Sequence, residues 1–107
     1  MASFYKNAKV DLTTTDVTTL YTAPAATTAI FRSLVVADDS GSTSTITVTV
    51  TDSASAVFVL YNVKATGANG TAELLTQPLV IQESEVLKVT AANANRLHVI
   101  GSYLEIT

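Results

Sequence analysis

Thr45-Ile46-Thr47-Val48-Thr49-Val50-Thr51-Asp52 is the stretch that decides the fold class. Ile46, Val48 and Val50 fall on one side of an extended chain, and Thr45, Thr47, Thr49 and Thr51 on the other. A period of two does not fit a helix, whose faces recur about every 3.6 residues. Thr and Val also lose rotamer freedom in a helix and pack well on a pleated surface. The stretch reads as a β-strand with one face turned to a core.

Working outward, Asp52-Ser53-Ala54-Ser55 is turn chemistry leading into Ala56–Val63, where Val57, Val59, Tyr61 and Val63 share a face. The short separation makes the pair a hairpin. Upstream, Asp38-Asp39-Ser40-Gly41-Ser42 is a loop that ends a strand over Ala29–Ala37. In that strand Ile30, Leu34 and Val36 take one face and Phe31 and Val35 the other, the pattern of a central strand covered on both sides. Phe4–Leu12 and Val17–Thr22 precede it, the second stopped by Ala23-Pro24 because proline cannot donate to a ladder.

Downstream, Thr66–Thr71 is a loop whose Asn69-Gly70 pair favours positive φ. Ala72–Gln77 has room for one short helical turn. Pro78–Gln82 reads as an edge strand opening on proline. Glu83-Ser84-Glu85 turns into Val86–Ala91, Ala92–Asn95 turns again, and Leu97–Ile106 closes the pattern with a bend expected at Gly101. The sum is seven or eight strands in one all-β domain, residues 1–107, read as an antiparallel β-sandwich. Residues 1–10 read as an interaction arm or an edge strand.

Composition limits the function. At 107 residues there is chain for one core, and 48% apolar against 14% charged residues excludes a disordered segment. Thr is the commonest residue, with 18 copies. The absence of Cys removes disulfides and thiolate metal sites. The net charge is −3, and Lys6, Lys9, Arg32, Lys64, Lys88 and Arg96 are scattered, which argues against nucleic acid as a partner. No apolar run after Lys6 and Lys9 resembles a secretory leader. The longest apolar stretch, Thr27–Ala37, is interrupted by Arg32 and Ser33 and is too short to cross a bilayer, so no membrane partner is expected. Synthesis in the cytosol is expected.

Candidate chemistry is sparse. His98 is the only imidazole and sits between Leu97 and Val99 in a strand, with no nucleophile elbow near it. Glu83, Glu85, Asp38 and Asp39 read as turn residues rather than a glycosidase pair. Asp38–Ser42 offers oxygen ligands for calcium but lacks the spaced acidic set of a dedicated loop. Asn69-Gly70-Thr71 matches a glycosylation acceptor without a leader to make it usable. Thr45, Thr47, Thr49 and Thr51 form a hydroxyl-methyl row like one rank of an ice-binding face, though an ice plane needs several. Arg32 belongs either at a sheet rim with a carboxylate partner or in an interface. An enzyme is not expected, and neither is a cofactor or a metal.

Leu20-Tyr21-Thr22-Ala23-Pro24, Thr28 through Ala37, Ile46–Val50, Leu79-Val80-Ile81 through Val89, and the close Ser102-Tyr103-Leu104-Glu105-Ile106 are strand patterns spread over nearly the whole chain. Together they resemble a family of small virion structural proteins of tailed bacteriophages, of the cyanophage and marine-phage type. Asp38 and Ser84-Glu85 stand where that family often carries an Asn and a Gly-Asp turn. The resemblance implies a β-sandwich, most often a capsid decoration (cement) protein that binds the major capsid protein shell and copies of itself as a trimer or dimer. Its place would be the virion, after synthesis in the host bacterial cytoplasm. Interface residues expected on this reading are Phe4, Tyr5, Arg32 and Tyr103. The same sandwich would also serve as a tail, neck or baseplate component. A carbohydrate-binding module is a weaker fit, since there is no Trp and the tyrosines fall mostly in strands.

Overall fold

The alternating stretch becomes β4 (Ser44–Thr51), with Ile46 and Val48 fully buried, in a computed structural model. The structure describes residues 2–66 and 69–107, and for residues 62–66 the backbone alone. The other strands are β1 (Ser3–Leu12), β2 (Thr18–Thr22), β3 (Thr28–Asp38), β5 (Val57–Thr66), β6 (Thr71–Glu73), β7 (Leu79–Ile81), β8 (Val86–Ala91) and β9 (Leu97–Ile106). No helix occurs among the described residues.

The strands form two antiparallel sheets. One runs β1-β9-β3-β6 with β7 also on β3; the other runs β2-β8-β4-β5. The pairs β1–β9, β2–β8, β3–β6/β7 and β4–β5 are those of a long hairpin ribbon wound into a barrel-like sandwich. β6 and β7 act as one interrupted strand, since both lie against β3 on the side away from β9. Eight strand positions connected this way make a jelly roll. The expected β-sandwich is thus present, with nine strands among the described residues instead of seven or eight.

Between the sheets, Leu12, Phe31, Leu34, Leu97 and Val99 meet Tyr21, Ile46, Val48, Leu87 and Val89. Each such fully buried side chain contributes roughly 1.5–3 kcal/mol relative to exposure. Phe31 lies against both tyrosines, with ring centroids 5.4 Å from Tyr21 and 4.8 Å from Tyr103. Gly101 makes room for it: a Cβ there would sit 2.6 Å from Phe31 Cε2. β9 runs through Gly101 unbroken, so the expected bend is replaced by a close approach of side chain to backbone.

Three expectations about faces are corrected by bulges. β3 pairs Phe31 with Tyr103 but Ser33 with Ser102, which leaves Arg32 as an extra residue and reverses the alternation. Phe31 and Leu34 therefore both point inward, while Ile30 faces outward and does not share the face of Leu34 and Val36. Arg32 is exposed rather than aligned with them. In β5, Val57 and Val59 lie opposite Thr51 and Thr49, but Tyr61 lies opposite buried Val48, so Tyr61 leaves their face. Val63, the fourth residue of that expected row, and Lys64 lie outside the described side chains. The expected helical turn at Ala72–Gln77 is strand β6 at its start, where Ala72 pairs with Val36. In the preceding loop Asn69 has φ +54°, as its turn chemistry asks; residues 67 and 68 of that loop lie outside the described residues.

Candidate interaction face

The two sheets differ on the sides they turn away from the core. On the β2-β8-β4-β5 sheet the outer rows are threonine-rich on three strands and end on valine at β5: Thr47 lies beside Thr90, Thr49 beside Lys88 and then Thr19 on one side and Val59 on the other, and Thr51 beside Val86 and then Thr22 on one side and Val57 on the other. The threonine row of β4 thus gains neighbours from two more strands, with its own four residues half-buried.

The outer side of the β1-β9-β3-β6/β7 sheet carries two rows with apolar centres, separated by a polar row of Asn7, Ser102 and Ser33. Strand pairing lines up Tyr5, Leu104, Ile30 and Val80 in one row across β1, β9, β3 and β7. A second row reads Lys9, Ile100, Val35 and Glu73. Tyr5 is 77% exposed, Val80 49% and Ile100 45%. A solvated sheet face ordinarily carries polar residues. The two-faced apolar pattern of β3 has therefore been met on one face only.

Behind this face lies a polar junction. Glu105, on the inner side of β9, accepts a hydrogen bond from Lys6 Nζ at 2.8 Å and another from the Tyr21 hydroxyl at 2.7 Å. The Lys6 contact, then the Tyr21 hydroxyl, hold the Glu105 carboxyl below the ordinary carboxylate range, against a smaller opposing effect of burial. Lys6 is shifted upward by the same hydrogen bond and charge. Tyr21 is raised by burial first and by Glu105 second, and Tyr103 by burial and then the Glu105 charge.

The four residues expected at an interface are divided. Tyr5 and Arg32 flank a shallow groove on the outer side, floored by Asn7, Ser102 and the edge of Tyr103. Tyr103 itself is 7% exposed and stacks on Phe31 in the core. Phe4 is half-exposed on the other side of β1, its ring centroid 5.7 Å from Lys6 Nζ. Arg32 makes no ion pair among the described residues. Sequence reasoning missed the outward side of Ile30, Val35 and Leu104, which are half-buried, and of Val80 and Ile100, which are exposed, because the phase reversal at Arg32 conceals which side of β3 is covered.

The remaining candidates stay apart. His98 lies on the outer side, Nε2 3.2 Å from Asp11 Oδ1 and Nδ1 3.8 Å from Asp39 Oδ2, with no hydroxyl nucleophile in the contact. Asp38 is buried and caps its own loop, accepting from Ser40 N at 3.0 Å and Ser40 Oγ at 2.8 Å. Glu83 accepts from the backbone of Ala26, and Glu85 from Gln82 N at 2.7 Å. No group of three or more His, Asp or Glu positioned to hold a metal occurs among the described residues.

No protein-family model matches the chain, and no curated protein does. Among solved structures it is similar to a chain of the acidic stable capsid of Helicobacter pylori bacteriophage KHP30. That likeness has a TM-score of 0.60 at 12% identity and covers 100% of this chain and 94% of that one. A looser likeness, TM-score 0.48 at 19% identity, is to a pentameric capsid protein isolated from metagenomic phage sequences; it covers 92% of this chain and 58% of that one. At 12% identity the first likeness establishes a shared fold across the full length, and no argument rests on the second.

Proposed function

We propose that this chain is a non-enzymatic bacteriophage virion protein, a capsid decoration (cement) protein that binds the major capsid protein shell. The carrying observation is the full-length jelly-roll likeness to a chain of a phage capsid. The division of the surface supports it: chemistry-bearing side chains are dispersed into turn caps, while large apolar side chains such as Tyr5, Val80, Ile100, Val57 and Val59 stand exposed on the sheets. A part that reinforces a shell needs a rigid body and extended contact area, not an active site. Many weak contacts repeated over a particle add up to firm attachment. The cyanophage and marine-phage type, synthesis in the host bacterial cytoplasm and a place in the virion belong to the same reading, as does self-association.

The test is the number of copies per purified particle. A decoration protein is present at near-stoichiometric ratio to the major capsid protein and pellets with emptied capsids. A count of roughly one ring, about 6 or 12 copies, would assign the chain to the tail, neck or baseplate instead. Deleting residues 1–5, which removes Phe4 and Tyr5 and spares Lys6, weakens pelleting while the chain stays folded; unchanged pelleting removes these residues from the contact.

A further inference from the structure

The geometry points to the groove flanked by Tyr5 and Arg32 as a receptor for a carboxylate side chain, presented by an acidic segment of a partner protein. This deepens the shell-protein reading and rests on it for the identity of that partner, though not for the chemistry of the groove. Tyr5 and Asn7 come from β1, Ser102 and Tyr103 from β9, and Arg32 from β3, around a hollow of about 430 Å³. Adjacent strands lie about 4.8 Å apart, so the two walls stand roughly 10 Å from each other at the backbone and admit one side chain between them.

The bulge in β3 holds Arg32 out over this hollow. As the extra residue between Phe31 and Ser33, Arg32 has no partner opposite it on β9. Glu73 satisfies the backbone that the bulge disturbs: its Oε2 accepts from Leu34 N at 2.7 Å and its Oε1 from Ser33 Oγ at 2.5 Å. The carboxylate on that side is thereby committed to the bulge and not to the guanidinium. Arg32 makes no hydrogen bond, ion pair or ring contact among the described residues. Lys6, at the β1 side of the groove, is already taken by Glu105. Bulges re-aim side chains and are over-represented beside functional sites. Here one presents a rigid fork of N–H donors that nothing among the described residues accepts.

The class of ligand follows from what surrounds the guanidinium. An arginine fork binds either a carboxylate or a phosphate bidentately. A phosphate dianion calls for more positive charge than one guanidinium supplies, and a chain of net charge −3 repels it. A single carboxylate matches Arg32 charge for charge. The Ser102 hydroxyl and the Asn7 amide place neutral donors on the floor, and the exposed Tyr5 ring gives the aliphatic part of an acidic side chain a surface to lie on. The rows on either side have apolar centres, Leu104 with Ile30 and Ile100 with Val35. Polypeptide around the carboxylate suits these better than an acidic sugar, whose hydroxyls would face apolar groups. Tyr and Arg are also among the residues in which interface hot spots are richest.

The full chain, isotope-labelled for NMR, is titrated with the peptide acetyl-Gly-Glu-Glu-Gly-amide. Shifts centred on Tyr5, Asn7, Arg32 and Ser102 are expected, half-complete at about 1 mM. The same peptide with Gln in place of Glu is expected to leave these signals unmoved. Arg32→Gln, at a side chain that contacts nothing, is expected to weaken the Glu peptide at least fivefold with circular dichroism unchanged. No shift up to about 10 mM overturns the inference, as do shifts that the Gln peptide reproduces or that persist in Arg32→Gln. Tighter binding of inorganic phosphate or of galacturonate than of the Glu peptide overturns it as well, in favour of a phosphate or an acidic sugar. Pelleting on emptied capsids keeps the two readings apart, and Arg32→Glu is expected to reduce it at least fivefold. Where wild type and Arg32→Glu pellet equally, the groove inference falls and the shell reading stands. A chain that binds the Glu peptide and ignores capsids sinks the shell reading alone.

Discussion

The hydroxyl of Tyr21, on β2 of one sheet, donates to Oε2 of Glu105, on β9 of the other, at 2.7 Å. The bond spans 84 positions of sequence and joins the two layers beside the apolar core. The same carboxylate takes Lys6 from β1, so three strands and both sheets meet at one buried charge. An unpaired carboxylate in that position would be strongly destabilising; paired twice, it fixes how the layers sit.

Tyr21→Phe keeps the ring against Phe31 and Tyr103 and removes only the donor. Hydrogen bonds to charged groups are worth about 1.5–3 kcal/mol. Urea unfolding is expected to show a loss of that order, with an unchanged slope against denaturant. A loss under about 0.5 kcal/mol, the range of ordinary surface substitutions, would mean the bond carries no stability.

Acid sensitivity follows from the same carboxylate. The folded Glu105 is held below its ordinary range by Lys6 and Tyr21. Its contribution is therefore present above the unfolded value, about 4.3, and is lost as pH falls through the lower folded value. Glu73 acts in the same sense: burial pulls it up, but Ser33 and the backbone of Leu34, Leu75 and Leu74 outweigh that and leave it lowered. Lys6 is raised, so its share disappears only as pH climbs past about 10.4. Stability is expected to be flat from pH 5 to 9 in this respect. Glu105→Gln should be less stable than wild type at pH 7, with the gap narrowing as pH drops below about 4. Melting curves at pH 7 and pH 3 decide it, and a gap of constant size rules the linkage out.

What the residues revealed in advance was the strand content. Thr45–Thr51 and Val86–Ala91 alternate cleanly and became β4 and β8 with little change of bounds. β6 escaped because three residues are too few to show a period, and Ala72 is placed by Val36 across the sheet, not by its neighbours. The bulge at Arg32 escaped for another reason. Ile30, Phe31, Leu34, Val35 and Val36 offer apolar groups to both faces, so the sequence pattern is satisfied by either phase. Only the fit of Phe31 against Gly101, 70 positions later, selects one. The Glu105 junction was illegible for a similar reason: a glutamate in a terminal strand reads as solvated until Tyr21 is brought to it.

Gly101→Ala tests that selection. The added methyl would fall 2.6 Å from Phe31 Cε2, on a ring that packs against both Tyr21 and Tyr103. Overpacking of this kind costs about 1–3 kcal/mol. Phe31→Leu alone leaves a cavity and is also destabilising, but combined with Gly101→Ala the two losses should sum to less than their separate values. A double-mutant cycle by denaturant unfolding measures the coupling. Strict additivity would show that the ring moves aside freely.

The open edge of β5 leads to the last expectation. Val57, Phe58, Val59 and Leu60 are 60%, 59%, 58% and 38% exposed in a strand that, among the described residues, pairs only with β4. Other edges are guarded: β1 carries Lys6, Lys9 and Asp11, and Pro78 opens β7. Successive apolar residues on an unguarded edge are a template for pairing with another chain. Val59 points away from the core, opposite Thr49, so Val59→Lys adds charge without disturbing packing. Thermal stability is expected to shift by no more than about 0.5 kcal/mol. Light scattering on concentration or gentle heating should fall several-fold. Scattering equal to wild type would show that the irregular pairing between Val59 and Tyr61 already protects this edge.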